Sequence, residues 1–246
     1  MATTADYLNK LVAQKNALAD NLVTKGVAAT HNETLETLVP KVLDISGGSE
    51  QLGIYPINPQ TGLPYGDVTI GEGIITLVNT FKENTDITSA KLPNSLKTIG
   101  ENAFYNCTNL KTVDFAKVEE IGEYALYAAG LTTAVLPETV KKIKGLSFAC
   151  CYSLTRLHIP AGCISVLDTA FNYDRNLLEF TVGVGFNANL CISNIGNGNL
   201  TAETINAIIA NYADNSGKTL TMGSKYLAKL TDDDKAAAAA KGLTLS

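Results

Sequence analysis

The sequence predicts an α+β solenoid: short parallel strands stacked rung on rung, with a helical hairpin before the coil and an α/β cap after it. Three observations carry this. A segment repeats four times at spacings of 23, 21, 23 and 23 residues, anchored on Ile87, Leu110, Leu131 and Leu154, and a fifth start at Leu177 breaks off. Within each copy the apolar pattern begins with a period of two and then loosens. Outside the copies, apolar residues recur at helical spacing. Self-similarity at a fixed period marks units that cannot bury their apolar side alone and must stack.

The elements follow in chain order. Leu8, Leu11, Val12, Leu18, Leu22 and Val23 fall at i, i+3, i+4 spacings and predict a helix over about residues 4–25, stopped at Gly26. A second helix starts at the capping box Thr30-His31-Asn32-Glu33 and continues through Leu35, Leu38, Val39 and Val42, kinked at Pro40. Two such short helices have little core of their own, so residues 1–45 read as a hairpin for anchoring or self-association. Residues 46–50 then form a flexible linker, and the Gly- and Pro-rich stretch 53–73 reads as loops with one short strand near Val68–Ile70. Together, residues 46–74 are a linker and lead-in. Ile74 to Phe81 reads as a strand or a lid on the first repeat.

In the copy anchored on Leu131 the apolar positions are Leu131, Ala134, Leu136, Val140, Ile143 and Phe148. The first residues after the anchor alternate and so form a short strand. Pro93, Pro137 and Pro160 end that strand because proline cannot donate to a ladder. Phe104, Leu126, Phe148 and Phe171 then plug the space between rungs. The second copy is two residues short near Ala116 and Lys117, which places the deletion in the loop after its strand. The stack is expected over residues 75–190. In the remaining 191–246, residues 201–213 read as a helix presenting Ile205, Ile208, Ile209 and Tyr212, and Thr219–Met222 as a strand. Ser224 is expected to cap a one-turn helix. Thr231 and Asp234 form a capping box for a helix ending at Gly242, and Leu243–Leu245 is a last strand. A small α/β cap of this kind shields the end of a stack.

The repeat pattern, L-x-x-[VAL]-x-[LI]-P-x-x-V-x-x-I-G-x-x-A-F-x-x-C, resembles the BspA-type leucine-rich repeat of bacterial surface and phage proteins over about residues 75–185. Lys144 and Leu167 stand where that pattern has glycine. The opening residues YLNKLVAQKNALADNL and the closing LTAETINAIIANYADN are similar to terminal segments of phage and prophage virion proteins. The resemblance implies a leucine-rich repeat solenoid with a binding role.

Composition bounds the chemistry. The net charge of −5 is spread along the chain, with no basic stripe for nucleic acid and no apolar run long enough to span a membrane. The N-terminus lacks the basic and apolar regions of a secretory signal. Cys107, Cys150, Cys151, Cys163 and Cys191 are an odd set without CxxC spacing and are expected free and buried. The two histidines, His31 and His158, have no metal-ligand neighbours in sequence, and no nucleophile motif surrounds any serine, so no enzyme, metal or cofactor is expected. Gly183-Val184-Gly185 and Gly196-Asn197-Gly198 read as turns, and Asp232–Asp234 as acids at a helix start.

The candidate site is the outward ribbon of the strands: Ser89 and Lys91, Thr112 and Asp114, Thr133 and Val135, Arg156 and His158, Glu179 and Thr181. Leu8, Leu11, Val12, Leu18, Leu22, Leu35, Leu38 and Val42 are the candidate anchor or oligomerisation residues. The leading expectation is a non-enzymatic phage or prophage virion protein of tail, baseplate or fibre type. It would be held to other virion subunits and to copies of itself by the N-terminal helices, and would bind a host-surface protein or glycan receptor. The alternatives are a bacterial cell-surface BspA-like adhesin and a purely structural virion subunit.

Overall fold

A computed structural model describes residues 53–58, 60–196 and 199–246, together with Lys15, Asn16, Ala19 and Thr30. The chain divides into two compact units, Met1–Leu52 and Gly53–Ser246. In the first unit Lys15, Asn16 and Ala19 are helical, as the apolar spacing predicts. Thr30, the expected start of the second helix, is non-helical and exposed; the rest of the expected hairpin, with all eight anchor residues from Leu8 to Val42, lies outside the described residues.

The second unit opens with a correction. Where loops with one short strand near Val68–Ile70 are expected, that strand is present as the end of β2 (Pro64–Ile70), which forms an antiparallel hairpin with β1 (Ile54–Ile57). Its turn is made by Asn58, whose side-chain oxygen accepts the amides of Gln60 (2.9 Å) and Thr61 (3.4 Å), and by Gly62 at φ +69°. The prolines that suggest loops are tolerated by position: Pro56 sits on the outermost strand of its sheet and Pro64 is the first residue of its strand. β2 pairs in parallel with β4 (Ile87–Lys91) and so begins the stack one rung earlier than expected. Buried Val68, Ile70, Leu77 and Phe81 are that rung's counterparts of Ala90, Leu92, Ile99 and Phe104.

Each rung crosses the molecule twice. Its first strand belongs to a row made by β4, β6 (Thr112–Asp114), β8 (Thr133–Val135), β10 (Arg156–Ile159) and β12 (Glu179–Val182). Its second is a two-residue strand: β3 (Thr76–Leu77), β5 (Thr98–Ile99), β7 (Glu120–Ile121), β9 (Lys142–Ile143) and β11 (Ser165–Val166). These five form a continuous parallel sheet that sequence periodicity does not reveal, because two residues are too few to show a period. The first row is split. β4 and β6 pair, and β8, β10 and β12 pair, but β6 and β8 share only a bond from the Thr132 amide to the Lys111 carbonyl (3.2 Å). The break falls at the shortened repeat: two residues past β6 the chain turns left-handed at Ala116 (φ +45°), whose amide donates to the Asp114 side chain (3.2 Å).

The apolar repeat positions are buried in one cluster, including Leu92, Phe115, Leu136 and Ile159, except Val113, which is half-buried against it. Leu131, Val140, Ile143 and Phe148 are fully buried, as the spacing requires. Phe81 stacks on Phe104 (centroids 4.9 Å apart) and Phe148 lies against Phe171 (5.9 Å), filling the gaps between rungs. The arc after the second strand satisfies its amides on the following rung, Phe104 to Ala125 (2.7 Å) and Leu126 to Ser147 (2.7 Å), without a helix. It bends through two left-handed residues in each of the first four rungs, among them Asn102 and Asn106, then Tyr124 and Ala128, and through Tyr173 alone in the fifth. Side chains add bonds between rungs: Asn109 donates to the Thr85 carbonyl (2.8 Å), Asn176 to Tyr152 (2.6 Å) and the Cys107 thiol to Phe81 (2.9 Å). Gly130 occupies the place of Asn109, and a Cβ there would fall 2.0 Å from the Thr108 carbonyl. All five cysteines are free and buried.

The C-terminal elements continue the same buried cluster. β13 (Leu190–Cys191), β14 (Thr219–Thr221) and β15 (Thr244–Leu245) form a three-stranded parallel sheet. α1 (Ala202–Asn211) is capped by Thr201 and buries Ile205, Ile208 and Ile209. α2 (Gly223–Leu227) differs from expectation: Ser224 lies inside it, and left-handed Gly223 (φ +69°) sets its start. α3 (Asp232–Ala240) has the expected capping box of Thr231 and Asp234, three acids in its first turn, and Gly242 at φ +66° past its end.

Two predictions follow from this core. Phe148→Ala removes a ring held between rungs and should cost about 3–5 kcal/mol of unfolding free energy in urea titration. Asp174 stands in the column of Cys107 and Cys151, buried, with one carboxylate oxygen accepting the Cys151 amide (2.8 Å) and the other unpartnered. Burial holds its carboxyl well above the usual range. Below the unfolded value of 3.8 both states are protonated. As pH rises past it the unfolded chain ionises first and gains, so stability falls. Asp174→Asn should therefore stabilise at pH 7 and lose that advantage near pH 3, read by urea unfolding at both values.

Candidate binding face

Parallel pairing in register turns alternate strand residues into two outward rows. Ser89 stands opposite Thr112 and Lys91 opposite Asp114. Across β8, β10 and β12, Thr133, Arg156 and Glu179 are aligned, and beside them Val135, His158 and Thr181. All ten expected ribbon residues face away from the core; Ser89 and His158 are half-buried and the others exposed. The rows extend one strand further than expected. Asp67 and Thr69 of β2 align with Ser89 and Lys91. The signal for them lay in the spacing of Val68, Ile70 and Leu77, with Gly71 where later rungs carry proline.

The face is locally ordered by its own pairs. Arg156 grips Glu179 through two contacts, Nε to Oε2 (2.5 Å) and Nη2 to Oε1 (3.1 Å). The Arg156 hydrogen bond and charge hold the Glu179 carboxyl below its ordinary range. His158 Nδ1 meets Thr181 Oγ1 at 2.8 Å. The Ser89 and Thr88 hydroxyls donate to Asp67 Oδ1, each at 2.8 Å, and lower its pKa. Amid these pairs Val135 is 61% exposed. The result is a pre-shaped polar surface of both charge signs with an apolar residue inside it, in two patches separated at the β6–β8 break. Such a surface can recognise a partner.

The tyrosines missing from the ribbon gather instead on the arc: Tyr105 stacks on Tyr127 (5.2 Å, interplanar 8°) with Tyr124 beside both. Lys82 lies over Tyr105 and Arg175 over Tyr152, each 5.6 Å from the ring centroid, so these ring faces are covered from within the molecule. Burial pushes the Cys107 thiol up to about 12 and the Cys163 thiol up to about 11. Among the described residues no group of three His, Cys, Asp or Glu is placed to hold a metal ion, and no helix is long and apolar enough to cross a membrane.

Residues 77–189 match the BspA type Leucine rich repeat region in six copies. No match to a curated protein sequence was found. Among solved structures, the chain is similar to the leucine-rich repeat protein TpLRR of T. pallidum, at 20% identity over 61% of this chain and 89% of that one, TM-score 0.39. It is also similar to a leucine-rich repeat protein from Bacteroides ovatus, at 16% identity over 70% of this chain and 58% of that one, TM-score 0.45. A third likeness is to a leucine rich cell surface protein from Faecalibacterium prausnitzii, at 21% identity over 55% and 56% of the two chains, TM-score 0.31. The residues that match the BspA type Leucine rich repeat region, 77–189, are thus those that form the rungs described above.

Proposed function

We propose that the chain is a non-enzymatic binding module of the cell-surface adhesin kind, docking a host protein or glycan on its outward strand rows. The observation that carries this is the aligned row pair from Asp67 to Thr181, ordered by its own hydrogen bonds and ion pair. Pre-ordering lowers the entropy lost when a partner binds. The repeat type of residues 77–189 supports the same reading. It favours the adhesin alternative over a phage virion part. With few aromatics on the rows, a protein partner is a better fit than a sugar face.

Labelled protein titrated onto arrays of immobilised matrix proteins and of glycans tests this. Saturable binding to a protein spot is expected. Val135→Asp combined with Arg156→Glu should weaken it at least tenfold while leaving the thermal midpoint in place, because these side chains contribute nothing to the core. Binding that ignores both changes would remove the ribbon from consideration. Co-sedimentation with purified phage particles, without array binding, would return the virion reading.

A further inference from the structure

The five-stranded sheet grows by a fixed rule. At the start of each rung an amide donates to the matching carbonyl of the rung before: Lys97 to Ile75 (2.9 Å), Glu119 to Lys97 (2.9 Å), Lys141 to Glu119 (2.8 Å) and Ile164 to Lys141 (3.0 Å). Three residues later the pattern recurs, Gly100 to Leu77 (2.6 Å), Gly122 to Ile99 (2.7 Å), Lys144 to Ile121 (2.9 Å) and Leu167 to Ile143 (3.0 Å). At β11 the rule stops. The next rung's strand, β13, makes its ladder with β14 instead. Among the described residues no amide donates to the carbonyls of Ile164 or Val166. Beside them lies a cavity of about 300 Å³ bounded by residues 164–168 and Asn189.

The side chains change at the same point. The inner rungs carry Lys97, Glu119 and Lys141 at the first of these positions and Gly100, Gly122 and Lys144 at the second. Lys97 pairs with Glu119 and Lys144 with Glu120, both at 2.6 Å. The last rung has Ile164, 67% exposed, and Leu167, 50% exposed. Unpaired acceptors flanked by uncovered apolar side chains are what an added strand satisfies. The first rung shows the same apolar pair, Ile75 and Val78, on its outer edge. A second copy cannot use it here, because bringing its β3 to β11 would drive its β2 into the place where β12 pairs with β10.

We propose that the β11 edge accepts a short extended peptide from a partner protein, parallel to β11. Two of its amides, three residues apart, donate to the carbonyls of Ile164 and Val166, and apolar side chains at those two positions cover Ile164 and Leu167. The two carbonyls are two residues apart, about 6.6 Å at ~3.3 Å per residue, so the peptide follows the bend of the inner rungs, where the residue after the first donor shares its acceptor (Lys97 at 2.9 Å and Thr98 at 3.2 Å, both to Ile75). This seat is separate from the outward rows and does not depend on them.

The test is fluorescence anisotropy with the whole chain and a fluorescein-labelled peptide carrying Ile-Ser-Val-Leu, the sequence of residues 164–167. Saturable binding is expected. It should weaken at least tenfold with Ile164→Lys plus Leu167→Lys, and equally with wild-type protein when the peptide's leucine amide is N-methylated. Lysines already occupy these positions at Lys141 and Lys144, so the double variant is expected to keep the wild-type thermal midpoint; the methylated peptide gives the answer if it does not. Arg156→Glu should leave peptide binding unchanged, which separates this site from the ribbon. Absence of saturable binding, or binding indifferent to peptide methylation, would overturn the proposal. So would self-association in sedimentation equilibrium that Ile164→Lys abolishes.

Discussion

Each rung of this protein has an apolar side that only the next rung can cover, and the whole molecule is arranged to keep that cover continuous. The backbone does most of the aligning. Amides of the two-residue strands point to the rung before, while amides of the arc point to the rung after, so each rung is held from both sides. Side chains then fill what the ladder leaves. Phe81, Phe104, Phe148 and Phe171 close the space between arcs, and Asn109, Asn176 and two thiols tie loops to neighbouring carbonyls. Because contact is nearest-neighbour, a local irregularity stays local. The shortened second repeat breaks a strand ladder at β6–β8 yet leaves the five-stranded sheet intact.

The outward rows follow from the same constraint. Registers fixed by the buried positions also fix what faces away, so Thr133, Arg156 and Glu179 align. Their local pairs, Arg156 with Glu179 and His158 with Thr181, then decide which groups remain to meet a partner. At the β11 edge the rule that builds the sheet runs out, and polar backbone is left beside apolar side chains. Both candidate surfaces are products of stacking, one of its regularity and the other of its interruption.

Much of this could be read from residues alone. The repeat spacing gave the rungs, their buried positions, the strand ends at Pro93, Pro137 and Pro160, and the face carrying the ribbon. The cap at Thr231 was visible because capping is chemistry between near neighbours. Other features were hidden for physical reasons. The hairpin at residues 54–70 is rich in proline, and proline's tolerance on an outer strand depends on neighbours that sequence does not display. The two-residue strands of the second sheet carry no period. The bare carbonyls beyond β11 arise from β13 turning to β14, a choice made between elements some 30 residues apart (Leu190 with Leu220). Ser224 looked like a cap, but the left-handed glycine before it had already set the helix start.

Amide hydrogen exchange in the native protein tests the stacked account most directly. The amides of Gly100, Gly122, Lys144 and Leu167 should exchange slowly and to similar extents, since each is the same bond on a successive rung, with Phe104, Leu126 and Phe148 protected alongside them. Protection confined to α1 and α3, with the repeat amides exchanging at the rate of an unfolded chain, would contradict it.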